Sequence, residues 1–137
     1  MLSLSPEFAP LVQQRLENDE ILWFTSVTPK GVPNSNPVWF HWDGEFITVY
    51  SQPSSWRVRN LRQNPNVAIH FQGVDGGGNN VVVINGRAEL TPGPHMAPPE
   101  YWKKYDEFLP GLELTRETMM RDYSVRIRVK PLKVRGD

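Results

Sequence analysis

At 137 residues, with 39% hydrophobic and 22% charged side chains, the chain has the length of one domain, 1–137, and enough apolar content to bury a core. Its 15 Lys and Arg balance 15 Asp and Glu, which argues against nucleic-acid binding, where a basic surplus is the rule. The absence of cysteine excludes thiol nucleophiles, disulfides and thiolate metal sites, and fits a reducing cytoplasm.

No run approaches the roughly 18 apolar residues of a membrane span. The opening MLSLSPEFAPLVQQRLENDE lacks the basic start and long apolar stretch of a secretion signal, so a cytoplasmic location is expected. Ser5-Pro6 opens a first helix over about Pro6 to Glu17, with Phe8, Leu11, Val12 and Leu16 at helical spacing. A first strand spans Glu20 to Thr28 and breaks at Pro29-Lys30-Gly31. A second spans Pro33 to Trp42. Asp43-Gly44, a strong hairpin signal, joins it to a third over Glu45 to Ser51. A Ser/Pro-rich corner (Ser51, Pro53, Ser54, Ser55) then feeds a helix over Ser54 to Arg62, which carries Arg57 and Arg59 and stops before Asn64-Pro65.

The fourth strand covers Val67 to Gln72. Gly73 to Asn80 reads as a flexible hairpin tip; its glycines lack the GKS or GKT ending and the following helix of a phosphate loop. The fifth strand, Val81 to Leu90, starts with an unbroken VVVI run, which implies burial on both faces. After Pro92-Gly93-Pro94 come helices over Pro98 to Phe108 and Thr115 to Asp122. In a final strand, Tyr123 to Val134, Val125, Ile127 and Val129 alternate with Arg126, Arg128 and Lys130. Pro131 there shifts the phase or marks an edge. Many strands, few helices and hairpin connections predict an all-β fold with a few short helices, a small antiparallel barrel.

The corner at residues 51–62 is the candidate site. Hydroxyls of Ser54 or Ser55, the free amides of a helix start and Arg57 within the first turn can converge on one anion. The same residues also suit an ordinary serine cap followed by solvated arginines. The aromatic hairpin beside the corner, with Trp39 and Trp42, offers walls for a planar ligand or simply packs. His41, His70 and His95 show no metal-ligand spacing, and the first two alternate with apolar neighbours as half-buried strand residues do.

Three segments, GVPNSNPVWFHWDGEFITVYSQPSSWRVRNLRQNPNVAIHF, VVVINGRAEL and YSVRIRVKPLKVRG, resemble in order and spacing the FMN-binding split-barrel superfamily of pyridoxamine 5'-phosphate oxidase. They are most similar to its branch of probable coenzyme F(420)-dependent, flavin/deazaflavin oxidoreductases. That resemblance implies a homodimeric antiparallel Greek-key split β-barrel. It also implies a cofactor phosphate gripped by Ser51, Ser55 and Arg57. Arg57 stands where Lys is more frequent, and Trp56 where a smaller or basic residue is usual. Pro37, Val38, Trp39 and Phe40 match the segment that lies along the flavin ring, and Asn60 falls in the same helix as the phosphate grip. Coenzyme F(420) is the expected cofactor, with FMN as the alternative; Lys30, Arg59 and Arg62 are available to an acidic tail. The implied activity is hydride transfer to or from a small organic substrate, with no nucleic-acid or membrane partner. A non-catalytic flavin- or haem-binding protein on the same barrel is the alternative.

Overall fold

The structure is a computed structural model that describes residues 9–72 and 81–136. In chain order the elements are α1 (Ala9–Asn18), β1 (Leu22–Val27), β2 (Pro33–Val38), β3 (His41–Trp42), β4 (Ile47–Ser51), α2 (Trp56–Gln63), β5 (Asn66–His70), β6 (Val82–Pro92), α3 (Pro99–Tyr105), α4 (Arg116–Asp122) and β7 (Val125–Gly136). Two single 3-10 turns, Asp106–Phe108 and Pro110–Leu112, lie between α3 and α4, so the expected helix through Phe108 ends its α-helical part at Tyr105. The strands form one antiparallel sheet in the order β2-β1-β5-β6-β7-β4-β3. The Ser5-Pro6 start of the first helix and the Gly73–Asn80 loop lie outside the described residues.

The alternation in β7 behaves as its sequence requires: Val125, Ile127 and Val129 are buried, while Arg126, Arg128 and Lys130 face outward. In β6 the same period wins over composition. Val82 and Ile84 are buried, but Val81 and Val83 are only half-buried, which corrects the two-faced burial expected of VVVI. An antiparallel sheet needs a core on one face only. At the far end of β7 the register moves from Asn85↔Lys133 to Gly86↔Pro131, leaving Leu132 unopposed in a bulge. Gly86 is required there, because a Cβ would sit 2.6 Å from Val129 Cγ1 and 2.8 Å from the Lys130 carbonyl oxygen.

The strand expected over Pro33 to Trp42 is divided. Residues 33–38 pair with β1, residues 41–42 pair with β4, and Trp39-Phe40 crosses between them. The two edges of the sheet are therefore one continuous piece of chain, which closes it into a split barrel. The crossing leaves the Phe40 backbone without a strand partner, and a buried amide must find one. Tyr105 Oη supplies it, accepting from the Phe40 N–H at 3.0 Å; the hydroxyl lies 3.2 Å from the Phe40 carbonyl and 2.7 Å from that of Glu20. Beyond the crossing, the hairpin loop runs over residues 43–46 and is longer than a two-residue turn. Asp43 Oδ1 accepts from the amides of Glu45 and Phe46, and Gly44 takes φ +97°.

Two apolar clusters result. Leu22, Phe24, Phe40, Ile69, Ile84 and Ile127 belong to the first, which fills the barrel and is covered by α1 and α2. The second lies outside the sheet, where Tyr50, Tyr101, Trp102, Tyr105, Met119 and Met120 pack together. Among the described residues no helix is long and apolar enough to cross a membrane.

Candidate functional site

The corner forms where β4 hands the chain to α2. Ser51, the last residue of β4, is 1% exposed. Ser55 caps α2: its backbone is extended (φ −67°, ψ 151°) and its Oγ accepts from the Val58 amide at 3.2 Å. Helix geometry leaves the amides of Trp56 and Arg57 without an intrahelical carbonyl. The inner face of α2 buries Val58, Asn60 and Leu61. Asn60, which the resemblance put in the helix of the phosphate grip, is 1% exposed and donates from Nδ2 to Ser26 Oγ at 3.0 Å, which ties α2 to β1.

Arg57 turns inward. It donates to Ser51 Oγ at 2.6 Å, and its guanidinium carbon lies 5.6 Å from the centre of the Phe24 ring. Burial pulls this guanidinium below its ordinary value, and no carboxylate opposes the shift. Arg57 Nε is buried with no hydrogen-bond partner. The other such side-chain nitrogens among the described residues, Trp42 Nε1 and Arg126 Nε, do not border the cleft that Arg57 enters. A partly desolvated cation lacking a counter-charge carries a cost and favours an anion beside it.

That cleft has a volume of about 270 Å³. Pro37, Val38 and Trp39 line one side, so the structure brings this part of the expected ring-binding segment to the same space as Arg57. Phe40 is not part of the lining. Its side chain is fully buried in the barrel, edge-on to Phe71 at 5.8 Å, and both of its backbone groups lie against Tyr105. Trp56 is 68% exposed, with the Arg59 guanidinium 5.1 Å from its ring. Arg59 and Arg62 face solvent, as does Lys30 in the β1–β2 turn.

The opposite side of the cleft comes from residues that sequence reasoning missed, chiefly Tyr50, Tyr101, Met119 and Tyr123. The only sequence signal for them was the Tyr101/Tyr105 pair, four residues apart on a short helix. Burial pushes the hydroxyls of Tyr50, Tyr101 and Tyr105 up, so all three are neutral near pH 7. A second chamber of about 620 Å³ adjoins the first and shares Ile21, Trp39 and Leu112 with it. Trp39 stands at their common wall, stacked on Tyr105 at 4.5 Å and tilted against Phe108 at 6.2 Å. The site thus sets a half-buried cation, backed by the Ser51 hydroxyl, against an apolar, aromatic slot; neither Ser51 nor Ser55 lines the slot itself.

A family model described as pyridoxamine 5'-phosphate oxidase matches residues 8–136, and the chain belongs to that family. Among solved structures, an F420 reductase is similar at 26% identity over 91% of this chain and 96% of that one, with a TM-score of 0.75. A conserved hypothetical protein from Mycobacterium tuberculosis is 24% identical over 97% of this chain and 84% of its own, with a TM-score of 0.73. HutZ, a haem storage protein from Vibrio cholerae, is 16% identical over 97% of this chain and 94% of its own, with a TM-score of 0.62. The last two show the shared fold alone. No match was found among curated proteins.

Proposed function

We propose that this protein is an oxidoreductase that holds coenzyme F(420), or alternatively FMN, and passes a hydride between that cofactor and a small organic substrate. The observation that carries the reading is Arg57: a half-buried guanidinium with a buried, unpartnered Nε and no carboxylate partner, bonded to the Ser51 hydroxyl and lining an apolar cleft. The donor set fits a phosphate. Arg57 supplies charge, Ser51 and Ser55 keep hydroxyl protons to donate, and the first amides of α2 have no intrahelical acceptor. Pro37, Val38 and Trp39 are the residues that would lie along a tricyclic ring. The likeness to an F420 reductase supports the deazaflavin over FMN.

When bound, such a cofactor would supply the hydride chemistry. The chain's own part is to bind and orient it. Asn60 holds α2 in place through Ser26, and Tyr105 pins the crossing that presents Trp39. Tyr50, Tyr101 and Met119 keep water from the cleft wall, where electrostatic contacts then gain strength. None of His41, His70 and His95 borders the cleft, so the storage reading for haem would have to take its axial ligand from a tyrosine or Met119. The protein acts as a homodimer in this reading, and exposed Trp56, Leu132 and Met96 are apolar side chains that a second copy could cover.

Titration with coenzyme F(420) and with FMN, followed by ligand fluorescence, tests the proposal. Saturable binding of one of them, with turnover of an added acceptor, is expected. Binding of neither at micromolar concentration overturns it.

A further inference from the structure

The second chamber differs in charge from the first. Its apolar walls are Ile21, Trp39, Phe108 and Leu112, and its charged residues are two carboxylates, Glu20 and Glu107. No ion pair among the described residues involves either. Lys104 acts on Glu20 through charge alone, its Nζ donating to the Asp19 carbonyl at 2.9 Å and lying 3.8 Å from the centre of the Phe40 ring. The cleft as a whole is therefore polarised, with Arg57 at its inner end and the two glutamates at its outer end. At about 620 Å³ the outer chamber has the volume of a small-molecule pocket. Its aromatic wall suits a flat ring, and two unpaired carboxylates favour positive charge and repel anions.

We infer that the outer chamber is a substrate subsite selective for planar aromatic molecules that carry a positive charge, and that Glu20 and Glu107 set this selectivity. Calling the occupant a substrate rests on the oxidoreductase reading; the binding preference does not. The inner chamber keeps the anionic group near Arg57, and the outer one draws in a ring of opposite charge.

Calorimetric titration of the full chain without cofactor tests this with two bicyclic probes, the cation 1-methylquinolinium and the anion 2-naphthoate. The wild type should bind the cation more tightly. In the Glu20→Gln/Glu107→Gln variant, affinity for the cation should fall about three- to tenfold, the range for two solvent-accessible charge contacts, while naphthoate binding is not weakened. Leu112→Arg places a cation on the shared wall at an exposed position and should weaken methylquinolinium binding further, with an unchanged melting temperature. Equal affinity for both probes, a cation preference that survives in the glutamine variant, or no binding of either probe overturns the inference. If neither coenzyme F(420) nor FMN binds but the glutamate-dependent cation preference is present, the cofactor reading fails and the subsite stands.

Discussion

Two arginines occupy matching positions and are treated in opposite ways. Arg15, on α1, lies with its guanidinium 5.3 Å from the Phe71 ring centre; Arg57, on α2, lies 5.6 Å from that of Phe24. Arg15 is buried and Arg57 half-buried, each against a core ring. Arg15 is neutralised: it donates to Asp19 Oδ2 at 2.7 Å and to the Gln72 carbonyl. Arg57 has the Ser51 hydroxyl and a bare Nε. A fold that needs a buried guanidinium for packing can give it a carboxylate, as it does for Arg15. Withholding one from Arg57 leaves the charge free for something the chain itself does not contain.

The largest effect expected from breaking this contrast is on Arg57. Arg57→Met removes a charge-assisted contact worth about 1.5–3 kcal/mol, so cofactor affinity should drop roughly tenfold to a hundredfold. The melting temperature should hold or rise, since an uncompensated buried charge is removed. Fluorescence titration and a thermal melt on one preparation check both halves. Ser51→Asp goes the other way and makes Arg57 resemble Arg15. A carboxylate at that position pairs with the guanidinium and competes with a phosphate, so affinity should fall by about tenfold, the scale of one charge-assisted contact, without loss of stability.

Arg15→Met is the converse experiment. It strands Asp19 and the Gln72 carbonyl and should cost about 1–2 kcal/mol of stability in urea denaturation, with cofactor affinity unchanged. A further prediction concerns a third withdrawn cation. Burial lowers Lys104 from 10.5 to about 8, against the weaker upward pull of Asp19 and Glu20. Between these values the folded chain binds fewer protons than the unfolded one, so the stability tied to Lys104 rises with pH across that window. Relative to Lys104→Met, the wild type should gain stability from about pH 8 to about pH 10.5 and none below about pH 7, read from paired denaturation curves.

What was legible in the sequence follows from range. The serine corner, the Asp43-Gly44 hairpin and the alternation of Val125, Ile127 and Val129 are local patterns, and each lies where its residues predict. The crossing at Trp39-Phe40 is not local. Residues 33–42 alternate acceptably as one strand, and only pairing with β1 on one side and β4 on the other divides them. Asn60 was hidden for a similar reason: its partner Ser26 is 34 residues away. The far wall of the cleft was least visible, because Tyr101 and Met119 reach it from helices more than 40 positions beyond Arg57. The resemblance pointed to the corner at residues 51–57, but it did not distinguish Phe40, which packs inward, from Trp39, which faces the slot.

The central claim is that Arg57 recognises the phosphate of the cofactor. It is tested most directly by measuring four affinities: wild type and Arg57→Met, each with the cofactor and with its dephosphorylated form. The account predicts that removing the phosphate weakens wild-type binding strongly and weakens Arg57→Met binding little, a coupling of about 1.5–3 kcal/mol. If losing the phosphate weakens both proteins equally, Arg57 does not hold that group and the assignment of the corner is contradicted.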